Sequence, residues 1–263
     1  MQLEKLVIKQ VFTTSESAQF IDFISEFRRR LTRASKPFFL PIPEQNELKQ
    51  ACAAGDAYAV FDQAGQVVAT AGAFLLAQTS AKNPRDKVTV YEYGAACVDP
   101  KFCGTGPYTL QEILLWIRTL GLVLSNYKSS GKTCFLVSAA AANLASIAAI
   151  ERNDFVEIVK VPDWLLGISQ TWANSEVLRH FWLDPAGVIG HAKKFVEAMH
   201  DEGIVTRVER GDGTNRKMQV HLDFAWYNRA FAVVTQIARG DATLENFGIC
   251  EPPVKAVVGH EVD

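Results

Sequence analysis

Two features of this chain have residue types suited to chemistry. The first is Glu92, an acid inside the strand-like run Lys87 to Val98, with Gly94 two positions on. A carboxylate placed beside a reacting amine can take its proton, directly or through water, whereas at a strand edge in water it is only a surface charge. Both alternatives stand on sequence alone. The second is the turn Gly104-Thr105-Gly106, after that run and before a helical segment. Small residues let a backbone come close to a ligand, and convergent N–H groups at a helix N-terminus favour an anion such as a diphosphate. Tyr91, Tyr93 and Tyr108 carry phenols that can supply a proton, although half-burial is the commoner role of a tyrosine in such places. Asn143 opens a further helix, as a ligand contact or as an N-cap, for which Asn is among the best residues.

Other patterns dissolve on inspection. Ser130-Gly131-Lys132-Thr133 imitates the end of a nucleotide loop, but Asn126 holds the first glycine position and an apolar strand follows instead of a helix. Arg210-Gly211-Asp212-Gly213 imitates a pyrophosphate turn, yet Arg216 to Asp223 alternates as a strand, which makes it a hairpin turn. The five cysteines include no CxxC pair, so neither a disulfide framework nor a thiolate zinc site is expected. The five histidines, His180 among them, show no metal-ligand spacing and read as surface or packing residues.

The elements that must position Glu92 and the glycine turn follow from periodicity. Leu3 to Phe12 reads as a strand, and Thr13 with Glu16 forms a capping box before a helix carrying Phe20, Phe23, Ile24, Phe27 and Leu31 on one face. Arg28, Arg29, Arg30 and Arg33 fall in its last turns, where cations suit the helix dipole and a solvated end is expected. After the proline-rich stretch 37–43 come a helix over 44–54, strands over 57–61, 66–77 and 87–98, a helix over 107–124, a strand over 133–139, a helix over 143–152 and a strand over 155–161. This order predicts an α/β fold, a mixed sheet with helices on both faces, whose anion site lies at the turn after the fourth strand. Beyond it, an aromatic segment with Trp164, Trp172 and Trp182 leads to a helix over 184–202, a hairpin pairing 204–210 with 217–223, and a last helix. The expected division is 1–161 and a C-terminal α/β extension, 162–263.

Composition narrows the function classes. The 263 residues are 48% hydrophobic and 21% charged, with 27 basic against 29 acidic side chains, enough for a sizeable core and without the basic excess of a nucleic-acid binder. The N-terminal ten residues mix Glu4, Lys5 and Lys9 and form no signal peptide, and the richest apolar window, 109–125, is broken by Glu112 and Arg118. A cytoplasmic protein with no nucleic-acid or membrane partner and no bound metal is expected.

The segment Glu92 to Gly106 with its following helix resembles the cofactor-binding region of the GNAT family (Gcn5-related N-acetyltransferases), in which an acidic strand ends in V-x-P and an R/Q-x-x-G-x-G/A turn follows. Anchored on Val98 and Pro100, Cys103 stands where Arg or Gln is usual, Gly106 keeps the central glycine and Tyr108 replaces the last small residue. A register shifted by two, Lys101-x-x-Gly104-x-Gly106, keeps both glycines but shortens the loop. A second block, Asn143 to Phe155, is similar to the family's N-x-x-A-x-x-x-Y-x-x-x-G-F signature, with Ile150 at the tyrosine and Asp154 at the glycine. The resemblance covers about residues 1–161. It implies an acyl-CoA-dependent N-acyltransferase, with acetyl-CoA or another acyl-CoA as co-substrate and a small-molecule or peptide amine as acceptor. Glu92 would deprotonate the amine, and Tyr108 would stand in for the missing tyrosine in protonating the thiolate. Val98, Cys103, Gly104, Thr105, Gly106 and Asn143 would contact the cofactor, and the acyl-pantetheine arm would pair with a splayed strand near Gly94. The substituted positions keep open the alternative of a non-catalytic ligand-binding or interaction module on the same fold. For residues 162–263, acceptor choice, formation of a homodimer and plain stability are open alternatives.

Overall fold

A single ten-stranded sheet runs through the chain in the computed structural model, which describes residues 4–33, 45–78, 87–103, 108–125, 131–141, 143–158, 178–200, 203–209, 215–242, 244 and 248–249. Its strands are β1 (Glu4–Gln10), β2 (Ala57–Phe61), β3 (Val67–Gln78), β4 (Val88–Val98), β5 (Lys132–Ala140), β6 (Phe155–Ile158), β7 (Leu178–Leu183), β8 (Met199–His200), β9 (Gly203–Glu209) and β10 (Asn215–Asp223). Their spatial order is β6-β7-β5-β4-β3-β2-β1-β10-β9-β8. The β4–β5 and β1–β10 pairs are parallel and the other strand pairs antiparallel. The mixed sheet expected from the sequence is therefore observed. Strands from beyond residue 161 enter it on both sides: β7 lies between β5 and β6, and β10 lies beside β1. The division at 161 and 162 is one of chain order, since both parts share this sheet.

Helices cover both faces because the strands alternate. In β2, Tyr58 and Val60 join a large apolar cluster with α3 (Leu110–Ser125), α4 (Leu144–Arg152), α5 (Pro185–Ala198) and α6 (Ala225–Arg239), while Ala57, Ala59 and Phe61 join a second cluster under α1 (Thr14–Arg33) and α2 (Gln45–Ala54). Burying Leu, Ile or Phe at such positions stabilises by roughly 1.5–3 kcal/mol each. α1 starts where its capping box predicts: Thr13 Oγ1 accepts from Glu16 N at 3.1 Å and Thr13 N donates to Glu16 Oε2 at 3.2 Å. Phe20, Ile21 and Ile24 are its buried face, and Arg28, Arg29 and Arg30 at its end are exposed, as expected for a solvated terminus. None of the described helices is long and apolar enough to cross a membrane.

Several boundaries differ from expectation; β1, for one, ends at Gln10 and not at Phe12. α3 begins at Leu110 and not at residue 107, because Thr109 and Glu112 form a second reciprocal cap: Thr109 N donates to Glu112 Oε2 at 2.9 Å and Glu112 N to Thr109 Oγ1 at 3.2 Å. The helix expected over 184–202 runs only from Pro185 to Ala198, since Asp184 is its N-cap, accepting from Gly187 N at 2.7 Å, and Met199 and His200 leave it to pair with β9. Strand β7, inside the segment read only as aromatic, was not anticipated. The stretch 37–43, Trp164, Trp172 and the 211–213 turn lie outside the described residues, as do residues 159–161 of the sixth strand.

Candidate functional site

β4 organises the site because it changes neighbours along its length. It pairs with β5 from Val88↔Lys132 to Tyr93↔Val137, and among the described residues that pairing stops there. β5 continues against β7 as far as Ala140↔Leu178, while β4 continues against β3 as far as Val98↔Ala69. The two strands thus part after Tyr93. A bulge marks the place: Gly94 and Cys97 face Gly72 and Thr70, so Ala95 and Ala96 oppose Ala71 alone, and Ala95 has φ 51°. A non-glycine residue in the left-handed region signals an imposed conformation. The neighbours impose it, since Thr70 Oγ1 donates to Ala95 O at 2.8 Å and Arg118 of α3 donates through one guanidinium nitrogen to Gly72 O at 2.6 Å and Gly94 O at 3.2 Å. Arg118 is 3% exposed with its guanidinium 3.9 Å from the Tyr93 ring centroid, and desolvation lowers its pKa to about 10. Parted strands present edge N–H and C=O groups to which an extended ligand can add.

Adjacent β4 residues feed opposite faces at this point. Tyr93 points toward α3, where its hydroxyl donates to Thr119 Oγ1 at 2.9 Å. Thr119 Oγ1 lies 3.0 Å from His191 Nδ1, and His191 Nε2 lies 2.7 Å from Asn153 O. Trp116 Nε1 donates to Asn153 Oδ1 at 2.7 Å, and Asn153 Nδ2 donates to Ala149 O at 2.7 Å and Glu112 Oε1 at 3.4 Å. Burial lowers the His191 pKa to about 4 and raises that of Tyr93, so both side chains are neutral at pH 7.

Glu92 points to the other face, beside the small apolar cluster of Val90, Cys134, Leu136, Ile158 and Trp182. It is 6% exposed. Its Oε1 accepts from Ser138 Oγ at 2.9 Å, and the same Oγ lies 2.9 Å from His180 Nδ1 on β7. Desolvation pushes the Glu92 pKa up to about 7; Ser138 opposes this and the field of Glu47 on α2 adds to it. A carboxyl poised near neutrality is suited to accept a proton and release it again. Sequence reasoning missed Ser138 and His180, and the one available signal was a hydroxyl inside the apolar run Cys134 to Ala140.

The other described site residues expected from the sequence fall on separate elements. Val98 closes the strand, and Cys103 ends a 3₁₀ turn, Pro100–Phe102, with its thiol 3.8 Å from Val98 O. Desolvation and, after it, Asp99 raise the pKa of that thiol. The 3₁₀ turn is N-capped by Asp99, whose Oδ1 accepts from Lys101 N at 2.9 Å, with Arg30 of α1 3.8 Å from its other oxygen. Tyr108 is half-buried, edge-on to Trp116 of α3 at 5.5 Å, on the side of the sheet away from Glu92's carboxylate. Asn143 is an N-cap, its side-chain oxygen accepting from Ser146 N at 3.2 Å. Gly104, Thr105 and Gly106 lie outside the described residues. Ile150 packs against the large core. Asp154 has φ 63°, the conformation a glycine would take without strain. α5 holds it there: Lys194 Nζ pairs with Asp154 Oδ2 at 2.7 Å, and a Cβ on Gly190 would collide with that oxygen. Among the described residues no group of His, Cys, Asp or Glu is placed to hold a metal ion.

No family model matches the chain, and no curated protein matches it by sequence. Solved structures are similar to it at a distance. An acetyltransferase of the GNAT family from Staphylococcus aureus is 12% identical, with 68% of this chain and 98% of that one covered at a TM-score of 0.45. An acetyltransferase from Streptococcus agalactiae is 15% identical, with 68% and 97% covered at 0.45. A GCN5-related N-acetyltransferase from Brucella melitensis is 15% identical, with 74% and 84% covered at 0.40. At these values the functional reading has to be built on the chain's own residues.

Proposed function

We propose that this chain transfers an acyl group, in the simplest case acetyl, from an acyl-CoA to an amine. The observation that carries this reading is Glu92, a desolvated carboxyl poised near neutrality, two residues before the point where β4 parts from β5. An alkylammonium with a pKa near 10 is almost wholly protonated at pH 7, so attack on a thioester needs a nearby base. Glu92 takes that proton, directly or through a water, and the amine lone pair attacks the thioester carbonyl. The β4 edge from Gly94 to Val98 receives the extended pantetheine arm, and the turn containing Gly104, Thr105 and Gly106 receives the diphosphate. Cys103 immediately precedes that segment in the sequence. Asn143, whose side-chain oxygen is engaged in its cap, contributes by fixing the start of α4. Tyr108 lies on the opposite side of the sheet from the base, so a proton delivered to the departing thiolate crosses the gap between the parted strands. CoA supplies the activated acyl group and a tolerable leaving group, and every other task falls to these residues.

The test is a thermal melt with CoA, acetyl-CoA and longer acyl-CoAs. Binding to the native state at a hundredfold excess over Kd adds about 2.7 kcal/mol of stability, which the melt would register. An unchanged melting temperature with all of them would overturn the reading. The packing of Ile150 into the core, where the family pattern places a phenol, supports a second reading, a ligand-binding module without turnover. CoA binding without CoA release across a broad amine panel would favour that module.

A further inference from the structure

Glu92, Ser138 and His180 sit side by side on β4, β5 and β7, and only the non-sequential strand order brings them together. A serine hydroxyl has one proton. When it donates to the Glu92 carboxylate it must accept from His180 Nδ1–H; when Glu92 is protonated the direction reverses, and the serine donates to an Nδ1 lone pair. The row is thus one hydrogen-bonded chain with two polarities. At its inner end Glu92 is buried, and at its outer end His180 is half-buried, with Nδ1 engaged by Ser138.

We infer that this row is a proton path, which carries the proton taken up at Glu92 through the Ser138 hydroxyl to His180 and on to solvent. The inference rests on the acyl-transfer reading and adds to it two residues and an exit for the proton. The O–H bond formed at Glu92 breaks as its proton passes to Ser138 Oγ, the serine's own proton passes to His180 Nδ1, and the imidazolium loses its Nε2 proton to water. Carboxylate and hydroxyl are restored, no electrons change hands, and the imidazole is left as the Nδ1–H tautomer that donates to Ser138. Exchange with water at His180 returns the other tautomer for the next turnover.

The surroundings favour such a hop. Desolvation raises the proton affinity of Glu92 and lowers that of His180, so the carboxyl can take up a proton at neutral pH and the imidazole gives one up readily to water. The charged group facing Glu92 from α2 is Glu47, whose field raises the carboxyl's proton affinity and so favours uptake of the proton at Glu92. β6 presents Val156 and Ile158 on the His180 side of the sheet, and β7 presents Trp182. Arg179 stands on the opposite side of β7, above the Phe181 ring and paired with Glu157 and Glu151. Among the described residues, the apolar surround of Val156, Ile158 and Trp182 offers no competing cation, which keeps the proton on the row.

Two measurements test the path. In steady-state CoA release, His180→Gln should lower kcat by about tenfold with KM for acetyl-CoA unchanged, and added imidazole should restore part of the rate. Ser138→Ala should show the same loss without imidazole rescue, and Ser138→Thr, which keeps the hydroxyl, should regain most of it. In the protein without substrate, the His180 ring resonances should titrate in step with Glu92, and Glu92→Gln should shift that titration. A His180 titration indifferent to Glu92→Gln, or a His180→Gln enzyme with the wild-type pH–rate profile, would overturn the path even if acyl transfer proceeds. A coupled titration with no CoA release from any amine would instead overturn the acyl-transfer reading, and with it the catalytic use of the path.

Discussion

Two polar chains leave β4 at consecutive residues. Both run through a hydroxyl to a histidine, Tyr93 by way of Thr119 to His191, and Glu92 by way of Ser138 to His180. The first is closed: His191 has both ring nitrogens engaged, it is fully buried, and Asn153 carries the chain on to Trp116 and Glu112. The second begins at a group that titrates near neutrality and ends at a half-buried imidazole. Closed polar networks fix a core, whereas a chain with a titratable inner end and a wet outer end can move charge. Pleating alone sends two neighbouring residues to these two fates.

The sharpest way to separate the two chains is Glu92→Gln, which keeps shape and removes the base. It should cost acyl transfer on the order of a hundredfold at pH 7 with CoA affinity intact, and the loss should shrink as pH rises and free amine becomes available. Full activity at neutral pH would place Glu92 with the structural chain.

Next in size is the closed chain. His191→Phe leaves Asn153 O and Thr119 without their buried partner and should cost about 2–3 kcal/mol in urea unfolding, with little change in the activity per folded molecule. The two chains also bound the pH range of stability from opposite sides. His191 is depressed to about 4 from 6.5, so its contribution is present above pH 6.5 and is lost as pH falls through 4. Glu92 is raised to about 7 from 4.5, so its contribution is present below pH 4.5 and is lost as pH rises through 7. His191→Phe should flatten the acid limb and Glu92→Gln the neutral one; a wild-type stability curve flat from pH 4 to 8 would contradict both assignments.

The smallest effect belongs to the outer rim of the closed chain. Thr109→Ala removes half of the α3 cap and should cost about 1 kcal/mol, without altering the Glu92-dependent pH–rate profile. A shift in that profile would mean that the two faces communicate through α3.

The sequence made legible what is local. Thr13 with Glu16 and Asn143 are caps that three or four residues suffice to recognise, and the alternation in β10 marked its inward face. What escaped was either masked by a stronger local signal or assembled across the sheet. The glycines and proline of 104–107 are a stronger local signal for a helix start than the Thr109–Glu112 cap two residues later. Residues 178–183 lack clean alternation because Phe181, Trp182 and Leu183 are all buried, so no period of two marks a strand. Ser138 and His180 lie 46 and 88 residues beyond Glu92; the pairing of β4 with β5 brings the first beside it, and the insertion of β7 beside β5 adds the second.

The parallel pairing of β1 with β10 sets a schedule for the growing chain. Glu4 finds Met218 across the ladder, so the partner of the first strand leaves the ribosome roughly 200 residues after the strand itself. At ~5–20 residues per second, that outer edge waits about ten to forty seconds before it is sealed. An open strand edge invites pairing with a foreign chain, and lysines are a common deterrent. Lys5 and Lys9 stand on that edge strand, so they guard during synthesis a border that the finished molecule no longer has.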